Sequence, residues 1–239
     1  MFDFILQCFR KTPCVRKRLN GSFIYSGSYI DGHATYEYKN ADGDDDQRIY
    51  IGRFRYRGGY KSSRDGRRIH DEVSGYYKNN LKDGMWTFIR MGQGMYKKLK
   101  VNYVDGKLNG KYTYVGKGLS INRRKSIHMS AEMHNGYPVG IIKGKSKEAK
   151  FVGQCDDDGY PDGLWILDIS VDKNITYYEQ WTHGVLNEAY SIDLATGNRH
   201  SIPEKMRSII KETVYYDCMP LENIIRKGAE EWDGSIPVK

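Results

Sequence analysis

The chain repeats one short pattern of glycine, aromatic and apolar residues, and this repetition restricts its fold more than any other feature. The pattern reads "YVDGKLNGKYTYV" over residues 103–115 and returns as "YYKNNLKDGMWTFI", "MHNGYPVGIIKG", "DDDGYPDGLWILD" and "QWTHGVLNEAYSID". Successive copies lie 23 to 30 residues apart, a period typical of stacked repeat architectures.

When the copies are aligned on their turns, the same residue types fall into four columns. A turn column contains Asn80, Gly106, Gly136, Gly159 and Gly184, and a second column, four residues later, contains Gly84, Gly110, Gly140, Gly163 and Glu188. A third column, two residues further on, contains Trp86, Tyr112, Ile142, Trp165 and Tyr190, and a fourth contains Phe88, Tyr114, Gly144, Leu167 and Ile192. The apolar period of two predicts strands with one buried face, and the glycines with neighbouring Asn or Asp predict turns with positive φ.

Each copy is therefore expected to be a β-hairpin that depends on its neighbours. A two-stranded hairpin is marginal alone in water, whereas hairpins added side by side gain cross-strand contacts worth about 0.2–1 kcal/mol per pair. The predicted fold is mainly β, a single elongated antiparallel meander of about five to seven hairpins with one exposed face. Its shared face would carry an aromatic ladder of Trp86, Phe88, Tyr112, Tyr114, Trp165 and Tyr190.

The Gly-x-(Trp/Tyr)-x-(Phe/Tyr) runs within residues 83–88, 109–114 and 162–167 resemble MORN repeats. They are closer still to the MORN-variant repeats of bacterial antitoxin-like proteins, and the resemblance covers about residues 73–195. The upstream stretches "YSGSYIDGHATYEY" and "YIGRFRYRGGY" look like degenerate copies whose glycines and aromatics do not keep the same offsets. The chain departs from the family pattern in lacking its Gly-x-Gly and in having Glu188 for a glycine. The resemblance implies a hairpin-repeat fold and an antitoxin, immunity-like or scaffolding role.

The two ends of the chain differ from the repeats. Residues 1–20 form a basic segment in which Phe2, Ile5, Leu6 and Phe9 predict a short helix. This helix either covers the first strand or, with the basic run after it, attaches to anionic lipid. Residues 21–200 are the predicted hairpin-repeat domain. In residues 201–239, Ser201 and Glu204 with Pro203 predict a capped helix start, and this helical segment is expected to cover the last open strand edge.

Charge is distributed unevenly along the chain. Residues 1–150 contain 30 Lys and Arg against 14 Asp and Glu, a net charge of +16, whereas residues 151–239 contain 8 against 16, a net charge of −8. Charge asymmetry of this kind concerns partners and association rather than fold. It permits head-to-tail self-association, a hypothesis that concentration-independent monomer mass in low salt would exclude.

A basic stretch overlaps the second degenerate copy and continues beyond it. Eight basic residues lie between positions 48 and 68 against the single acid Asp65, and they are Arg48, Arg53, Arg55, Arg57, Lys61, Arg64, Arg67 and Arg68. Strict alternation in "RFRYRGGYK" predicts that Arg53, Arg55 and Arg57 share one strand face, with Phe54 and Tyr56 on the other. A second basic group within residues 97–125 would extend this surface. Such a surface either binds an anionic partner or is a solvated strand face.

Motifs that carry catalytic chemistry are missing from the sequence. The acidic run at residues 42–46 resembles a calcium loop, but Gln47 and Arg53 stand where an EF-hand needs glycine and glutamate. There is no P-loop, dinucleotide-binding, HExxH or Gly-x-Ser-x-Gly motif. The four cysteines lack metal-site or framework spacing and are predicted to be free thiols. We therefore expect no enzyme activity, cofactor or metal site.

Together these features favour a non-enzymatic module that binds a protein partner. The alternative is a binder of anionic membrane surfaces through the basic face of residues 48–68 and 97–125, because MORN arrays are often linked to phospholipid. Nucleic acid is the weaker form of this alternative, since the aromatics beside the arginines are expected to point inward. No apolar run is long enough to cross a bilayer, and the chain has no secretory signal. The expected location is the cytoplasm, with peripheral attachment at the inner membrane surface as the alternative.

Overall fold

A computed structural model describes residues 12–29, 32–42, 44–61, 66–92, 94–118, 126–147, 149–169 and 174–202. Within these ranges, fifteen strands form one antiparallel sheet in which each strand neighbours those that precede and follow it in the chain. The predicted mainly β, antiparallel meander of hairpins is therefore confirmed. The predicted N-terminal helix and the C-terminal cap beyond Ile202 lie outside the described residues.

The strands follow one another with short connections. They are β1 (Cys14–Lys17), β2 (Ser22–Tyr29), β3 (Gly32–Ala41), β4 (Asp44–Lys61), β5 (Arg68–Lys78), β6 (Leu81–Gly92), β7 (Met95–Val104), β8 (Lys107–Lys117), β9 (Ser126–His134), β10 (Tyr137–Lys145), β11 (Ala149–Cys155), β12 (Gly163–Ile169), β13 (Ile175–Thr182), β14 (Val185–Asp193) and β15 (Arg199–Ser201). The sheet thus begins inside the basic N-terminal segment, because part of that segment pairs with β2 as strand β1.

The chain divides into two compact units. Unit 1 contains the described residues up to Gly92 together with Tyr103–Lys107, and unit 2 contains Gly94–Asn102 and the described residues from Leu108 onward. In each unit the sheet has a core face, which carries the buried side chains, and an outer face opposite to it.

Four of the five aligned copies close with the turn that the sequence predicts. Asn79 and Asn80 have φ of 50° and 66°, and His183 and Gly184 have φ of 45° and 78°. In the turns at residues 105–106 and 135–136, both residues likewise have positive φ. Positive φ at both residues of a two-residue loop defines the type I′ turn, whose twist matches that of the strands it joins. The loop between β11 and β12, residues 156–162, is longer.

A bulge follows the second-column glycine at the start of β6, β10 and β12. Four second-column glycines, Gly84, Gly110, Gly140 and Gly163, have φ of 67°, 91°, 62° and 78°. In β6, residues 84–86 lie opposite Gly75 of β5, and in β10, residues 140–142 lie opposite Ala131 of β9. Each bulge adds two residues to its strand. Because two is the side-chain period of a strand, the residues beyond the bulge keep their faces.

Hydrogen bonds join each turn to the copy before it. In unit 1, the backbone N–H of Asn80 donates to the carbonyl of Tyr50 at 2.9 Å, and that of Gly106 donates to Lys82 at 2.9 Å. In unit 2, the N–H of Gly136 donates to the Leu108 carbonyl and that of Gly184 to the Pro161 carbonyl, both at 2.8 Å. Within each unit, therefore, every such turn is held by the preceding hairpin.

The core of unit 1 is a stack of aromatic rings. Trp86, fully buried, stacks on Phe54 with ring centroids 5.8 Å apart and on Phe88 at 5.9 Å. Its ring lies directly over Gly75, where an added Cβ would come within 2.1 Å of the indole. The indole Nε1 donates to the Tyr76 carbonyl at 2.9 Å. Only glycine leaves room for a ring in this position.

Phe54 shows that "YIGRFRYRGGY" keeps part of the repeat pattern. Gly52 has φ of 67° and starts a bulge in β4, and Phe54 follows two residues later, as Trp86 follows Gly84. The turn before β4 precedes Asp44 and is therefore at least eight residues ahead of Gly52 instead of four, so the expected change of offset holds for the turn but not for the aromatic residue. The Gly-x-aromatic spacing at Gly52 was a visible signal that the ladder includes Phe54.

Unit 2 continues the same core pattern. Tyr112 is fully buried and pairs with Ala131, while Ile142 is 3% exposed and pairs with Gly153. Trp165 repeats the arrangement of Trp86: an added Cβ at Gly153 would lie 2.1 Å from its ring, and its Nε1 donates to the Gln154 carbonyl at 3.0 Å. Trp165 is only partly buried, and it stacks on Phe151.

Tyr190 does not belong to this ladder, and its assignment to the ladder is corrected here. Trp165 pairs with Glu179, and Glu179 pairs with Ala189, so that Ala189 is the residue on the core face. Ala189 is 2% exposed, whereas Tyr190 lies on the outer face. The bulge of β14 contains only one extra residue, Asn187. An odd insertion exchanges the two faces of the strand beyond it.

Candidate functional site

The outer face of unit 1 carries a row of three arginines on β4. Arg53, Arg55 and Arg57 are exposed, whereas Phe54 between them is 1% exposed on the core face. These three residues, called the arginine row from here on, lie on alternate positions of one strand. Alternation brings their side chains to the same face at a spacing of about 6.6–6.8 Å.

The three arginines differ in their partners. Arg53 donates from Nε to the hydroxyl of Tyr76 at 2.8 Å, and its guanidinium lies 5.9 Å from the centre of the same ring. Arg57 Nε lies 3.5 Å from Glu72 Oε1. Arg55 makes no hydrogen bond or ion pair with any residue that the structure describes. The central guanidinium of the row is thus open to a partner.

Hydroxyl groups flank Arg55 on both sides. Arg55 pairs with Thr35 of β3 and with Ser74 of β5. The line of hydroxyl side chains continues on both sides. It reaches Ser26 of β2, whose Oγ lies 3.1 Å from Thr35 Oγ1, and Thr87 of β6, which pairs with Ser74. No carboxylate stands directly across from Arg55 on either neighbouring strand. The surroundings of Arg55 can therefore donate and accept hydrogen bonds without neutralising its charge.

The other predicted basic residues fall into three groups. Lys61 and Arg68 are exposed and lie opposite each other on the paired strands β4 and β5. They extend the positive charge of the outer face where this strand pair ends. Arg67 is exposed just before β5, and Arg64 lies outside the described residues.

Arg48 lies on the core face, so its assignment to the arginine surface is corrected. Its guanidinium donates to the Tyr36 hydroxyl at 2.6 Å and stacks 4.8 Å from the centre of the Tyr38 ring. The two-residue bulge at Gly52 preserves the alternation, so the even-numbered position of Arg48 falls with Phe54 and not with Arg53. Tyrosine rings on the core side hold it by hydrogen bonding and cation–π attraction.

The second basic group is partly exposed. Lys100, Lys111 and Lys117 of unit 2 are exposed, and Lys100 and Lys111 alternate with the buried Val101 and Tyr112. They lie on the outer face of β7 and β8. Lys97 and Lys98 are half-buried and Lys107 is exposed. Residues 119–125, which include Arg123, Arg124 and Lys125, are outside the described ranges.

An apolar stripe crosses the outer face of unit 2, and the sequence interpretation missed it. Val152, Ile166, Tyr178 and Tyr190 pair successively across β11 to β14. Val152 is 42% exposed, and the other three are half-buried. Two exposed neighbours on the same face, Ile141 and Leu164, widen the stripe. The available signal was the alternation of "FVGQC" and "LWILD", in which both faces contain apolar residues.

Polar groups border the stripe at its Tyr190 end. The rings of Tyr178 and Tyr190 stack with centroids 5.1 Å apart and an interplanar angle of 11°. The Arg199 guanidinium lies 3.6 Å from the centre of the Tyr190 ring and forms an ion pair with Glu188. These contacts hold both rings in place on the surface. The stripe is therefore an ordered aromatic and aliphatic surface with a charged rim.

Ionisable groups elsewhere in the described chain form no recognisable centre. Around the β11–β12 loop, burial alone would raise the pKa of Asp156, but hydrogen bonds from the Tyr160 N–H and from His183 lower it. The Asp156 Oδ2 lies 2.6 Å from Nδ1 of the exposed His183. Within the described ranges, no three His, Cys, Asp or Glu side chains are grouped so as to hold a metal ion. Cys14 and Cys155 are free thiols.

No protein-family model matches the chain, and no curated protein is significantly similar to it in sequence. The MORN-variant resemblance therefore stays a prediction. Among the described residues, no helix is long and apolar enough to cross a membrane.

Proposed function

We propose that this chain is a non-enzymatic protein-interaction module of the MORN-variant type. The observation that carries the proposal is the apolar stripe of Val152, Ile166, Tyr178 and Tyr190 on the outer face of unit 2. An antitoxin, immunity-like or scaffolding role is the class of activity that the repeat resemblance implies. Such roles need a surface that docks a protein, and they need no catalytic group.

The stripe is better explained by binding than by folding. The core face already buries the large side chains of unit 2, including Tyr112 and Ile142. The parts of these apolar and aromatic side chains that remain exposed on the opposite face leave water only when a partner covers them. Tyrosine and other aromatic residues also supply a large share of the binding energy in protein interfaces. The stripe therefore fits the centre of a docking surface, with Glu188 and Arg199 at its rim.

The test compares partner capture by matched variants in the native host. Chemical crosslinking followed by mass spectrometry is performed with the wild-type chain, the double variant Ile166→Ser/Tyr190→Ser, and Leu194→Ser. Leu194 is 58% exposed in the β14–β15 turn and lies outside the stripe, so its variant removes an apolar side chain that is more exposed than Ile166 or Tyr190. We expect a partner that the wild type and Leu194→Ser both capture and the double variant loses.

If all three proteins capture the same partners, the stripe is not the docking surface. Circular dichroism and urea denaturation of the double variant provide the folding control, since both positions lie away from the core face. A double variant that unfolds is replaced by Ile166→Thr, which keeps a β-branched side chain in β12.

A second candidate function is binding to anionic surfaces through the arginine row. The observation that favours it is the open guanidinium of Arg55 between two other arginines. Retention on vesicles containing phosphatidylserine should then fall steeply from low to moderate salt. Replacing Arg53, Arg55 and Arg57 together with serine should weaken it further. Retention that is equal for the wild type and the triple variant contradicts this second candidate.

A further inference from the structure

The arginine row has an excess of positive charge that its own strands do not balance. On the outer face of unit 1, Lys61 and Arg68 add to the three arginines. The carboxylates on this face nearest to the row are those of Glu37 and Glu72. Glu37 is already paired with Arg18 at 3.2 Å, and Glu72 with Arg57. A partner that covers this face must therefore bring negative charge.

Two of the three guanidiniums already have partners within the sheet. The Tyr76 hydroxyl accepts a hydrogen bond from Arg53, and Arg57 Nε lies 3.5 Å from Glu72 Oε1 in an ion pair. Arg55 between them retains its donors, with the hydroxyls of Thr35 and Ser74 on either side. A guanidinium with free donors binds a carboxylate through two parallel hydrogen bonds. Among the described residues, the row thus has one open anion-binding group between two arginines that already have partners.

The spacing of the row matches an extended peptide. Alternate residues of a strand repeat every 6.6–6.8 Å, about the same distance in any two extended chains. A peptide that lies along β4 with acidic residues at alternate positions would place one carboxylate near each arginine. Its other side chains would point away from the sheet.

The surroundings of the row fit a membrane or a nucleic acid less well. Binding within a bilayer interface relies on apolar side chains beside the basic ones, but the neighbours of Arg55 are the hydroxyl residues Thr35 and Ser74. Single-stranded nucleic acid is bound by stacking bases on exposed rings. The nearest exposed ring, Tyr76, is engaged by Arg53 through its hydroxyl and its face.

We propose that the arginine row binds an extended acidic segment of a protein partner, with carboxylates on alternate residues and Arg55 as its central contact. This inference rests on the proposed function in one respect, namely that the partner is a protein. It concerns a surface of unit 1 that is separate from the apolar stripe, so the two can be tested separately.

The experiment measures binding of labelled peptides by fluorescence anisotropy at one fixed low salt concentration. The probes are a heptapeptide of alternating glutamate and threonine, a second peptide of the same composition with its four glutamates adjacent, oligothymidylate, and phosphatidylserine vesicles. The proteins are the full-length wild type, Arg55→Gln, Arg55→Lys and Lys107→Gln. Lys107 is exposed on unit 1 at the start of β8. It belongs to the second basic group and not to the arginine row, so its variant removes the same charge from a part of the basic surface that a peptide lying along β4 does not need.

We expect the wild type to bind the alternating peptide more tightly than the adjacent-glutamate peptide. Arg55→Gln should weaken the alternating peptide about tenfold, as expected for the loss of a charge-assisted hydrogen-bonded pair. The affinity of Arg55→Lys for the alternating peptide should lie between those of the wild type and Arg55→Gln, because lysine keeps the charge and loses the two-pronged geometry. Lys107→Gln should stay within about twofold of the wild type, since an exposed charge away from the row is weakly coupled to it.

Four results overturn the inference. The first is equal binding of the two peptides, and the second is equal effects of Arg55→Gln and Lys107→Gln. The third is tighter binding of oligothymidylate or vesicles than of the alternating peptide, and the fourth is no measurable peptide binding. In that case, partner capture that depends on Ile166 and Tyr190 would leave the proposed function standing. Arg55 is fully on the surface, and matching circular dichroism spectra establish that its variants are folded.

Discussion

Two hairpins of unit 2, β11–β12 and β13–β14, come from the same repeat but present their aromatic residue on opposite faces. In the first, Gly163 opens the outgoing strand with φ of 78°, and Trp165 lies on the core face over Gly153. In the second, Glu188 stands at the equivalent position, the bulge contains one residue, and Tyr190 faces outward. A difference of one bulge residue decides which face receives the ring.

The cause is the backbone cost of a side chain. A left-handed φ costs a non-glycine residue roughly 1–2 kcal/mol, so Glu188 does not take the conformation that the two-residue bulge requires at that position. The shorter bulge moves Ala189 to the core face and Tyr190 to the outer face, where Tyr190 completes the apolar stripe with Tyr178. A change that looks like decay of the repeat thus converts a core aromatic position into a surface one.

The largest expected effect comes from filling the space under Trp165. Gly153→Val places a side chain where an added Cβ lies 2.1 Å from the indole, so the ring must leave its position. We expect a loss of about 3–5 kcal/mol, similar to that of removing a large buried aromatic. Urea denaturation measures it. Gln154→Val, on the next residue and the outer face, should stay within about 0.5 kcal/mol; equal losses for both variants would mean that the ring does not lie on Gly153.

The second-largest expected effect is the difference in unfolding free energy between removing the Trp165 ring and removing the Tyr190 ring. Trp165→Ala should cost about 2–4 kcal/mol, somewhat below the value for a fully buried ring, because Trp165 is partly exposed. Tyr190→Ala should cost about 1 kcal/mol or less, since it removes one stacked pair and a cation–π contact on the surface. The midpoints of urea unfolding give both values. A larger loss for Tyr190→Ala than for Trp165→Ala would place Tyr190 in the core and contradict the comparison.

The glycine that separates the two hairpins can be tested directly. Gly163→Ala adds a Cβ that meets only the Gln154 side chain at 3.9 Å, so any cost comes from its positive φ. We expect a loss of about 1 kcal/mol. Glu188→Ala, at the equivalent position without positive φ, should change the unfolding free energy by less than about 0.5 kcal/mol. If Gly163→Ala is neutral, the two-residue bulge does not depend on glycine.

The limits of sequence-based prediction follow from the same bulges. The turns at Asn80, Gly106, Gly136 and Gly184 and the core position of Trp86 were predictable, because turn residues and alternation are local properties. The face of Tyr190 was not predicted correctly, because it depends on the single bulge residue in β14. Arg48 was grouped with the arginine row by its charge, although alternation across the two-residue bulge at Gly52 places it with Phe54. The sequence does not show a bulge length directly. It can only be inferred from whether a glycine permits the positive φ, as at Gly52, or a residue such as Glu188 prevents it.

The smallest expected effect concerns the thiol at the end of the glycine-bearing hairpin. Cys155 closes β11 and is 5% exposed. Burial, with a smaller contribution from the Asp156 carboxylate, raises its pKa from 9.0 to about 12. Between pH 9 and pH 12 the unfolded chain has lost the thiol proton while the folded chain keeps it. The protonated thiol therefore contributes to the stability of the folded state. This contribution is complete below pH 9 and is lost as the pH rises to 12.

Wild type and Cys155→Ala should accordingly converge in stability as the pH is raised. By pH 10 the wild type should lose up to about 1 kcal/mol more than the variant. Urea unfolding at pH 8 and pH 10 measures this difference. Burial also raises the pKa of Tyr114 to about 12, but this tyrosine is present in both proteins and its effect cancels. A constant difference between the two proteins at both pH values would show that the Cys155 thiol titrates as it does in water. The core face of the β11–β12 hairpin would then be open to solvent at Cys155.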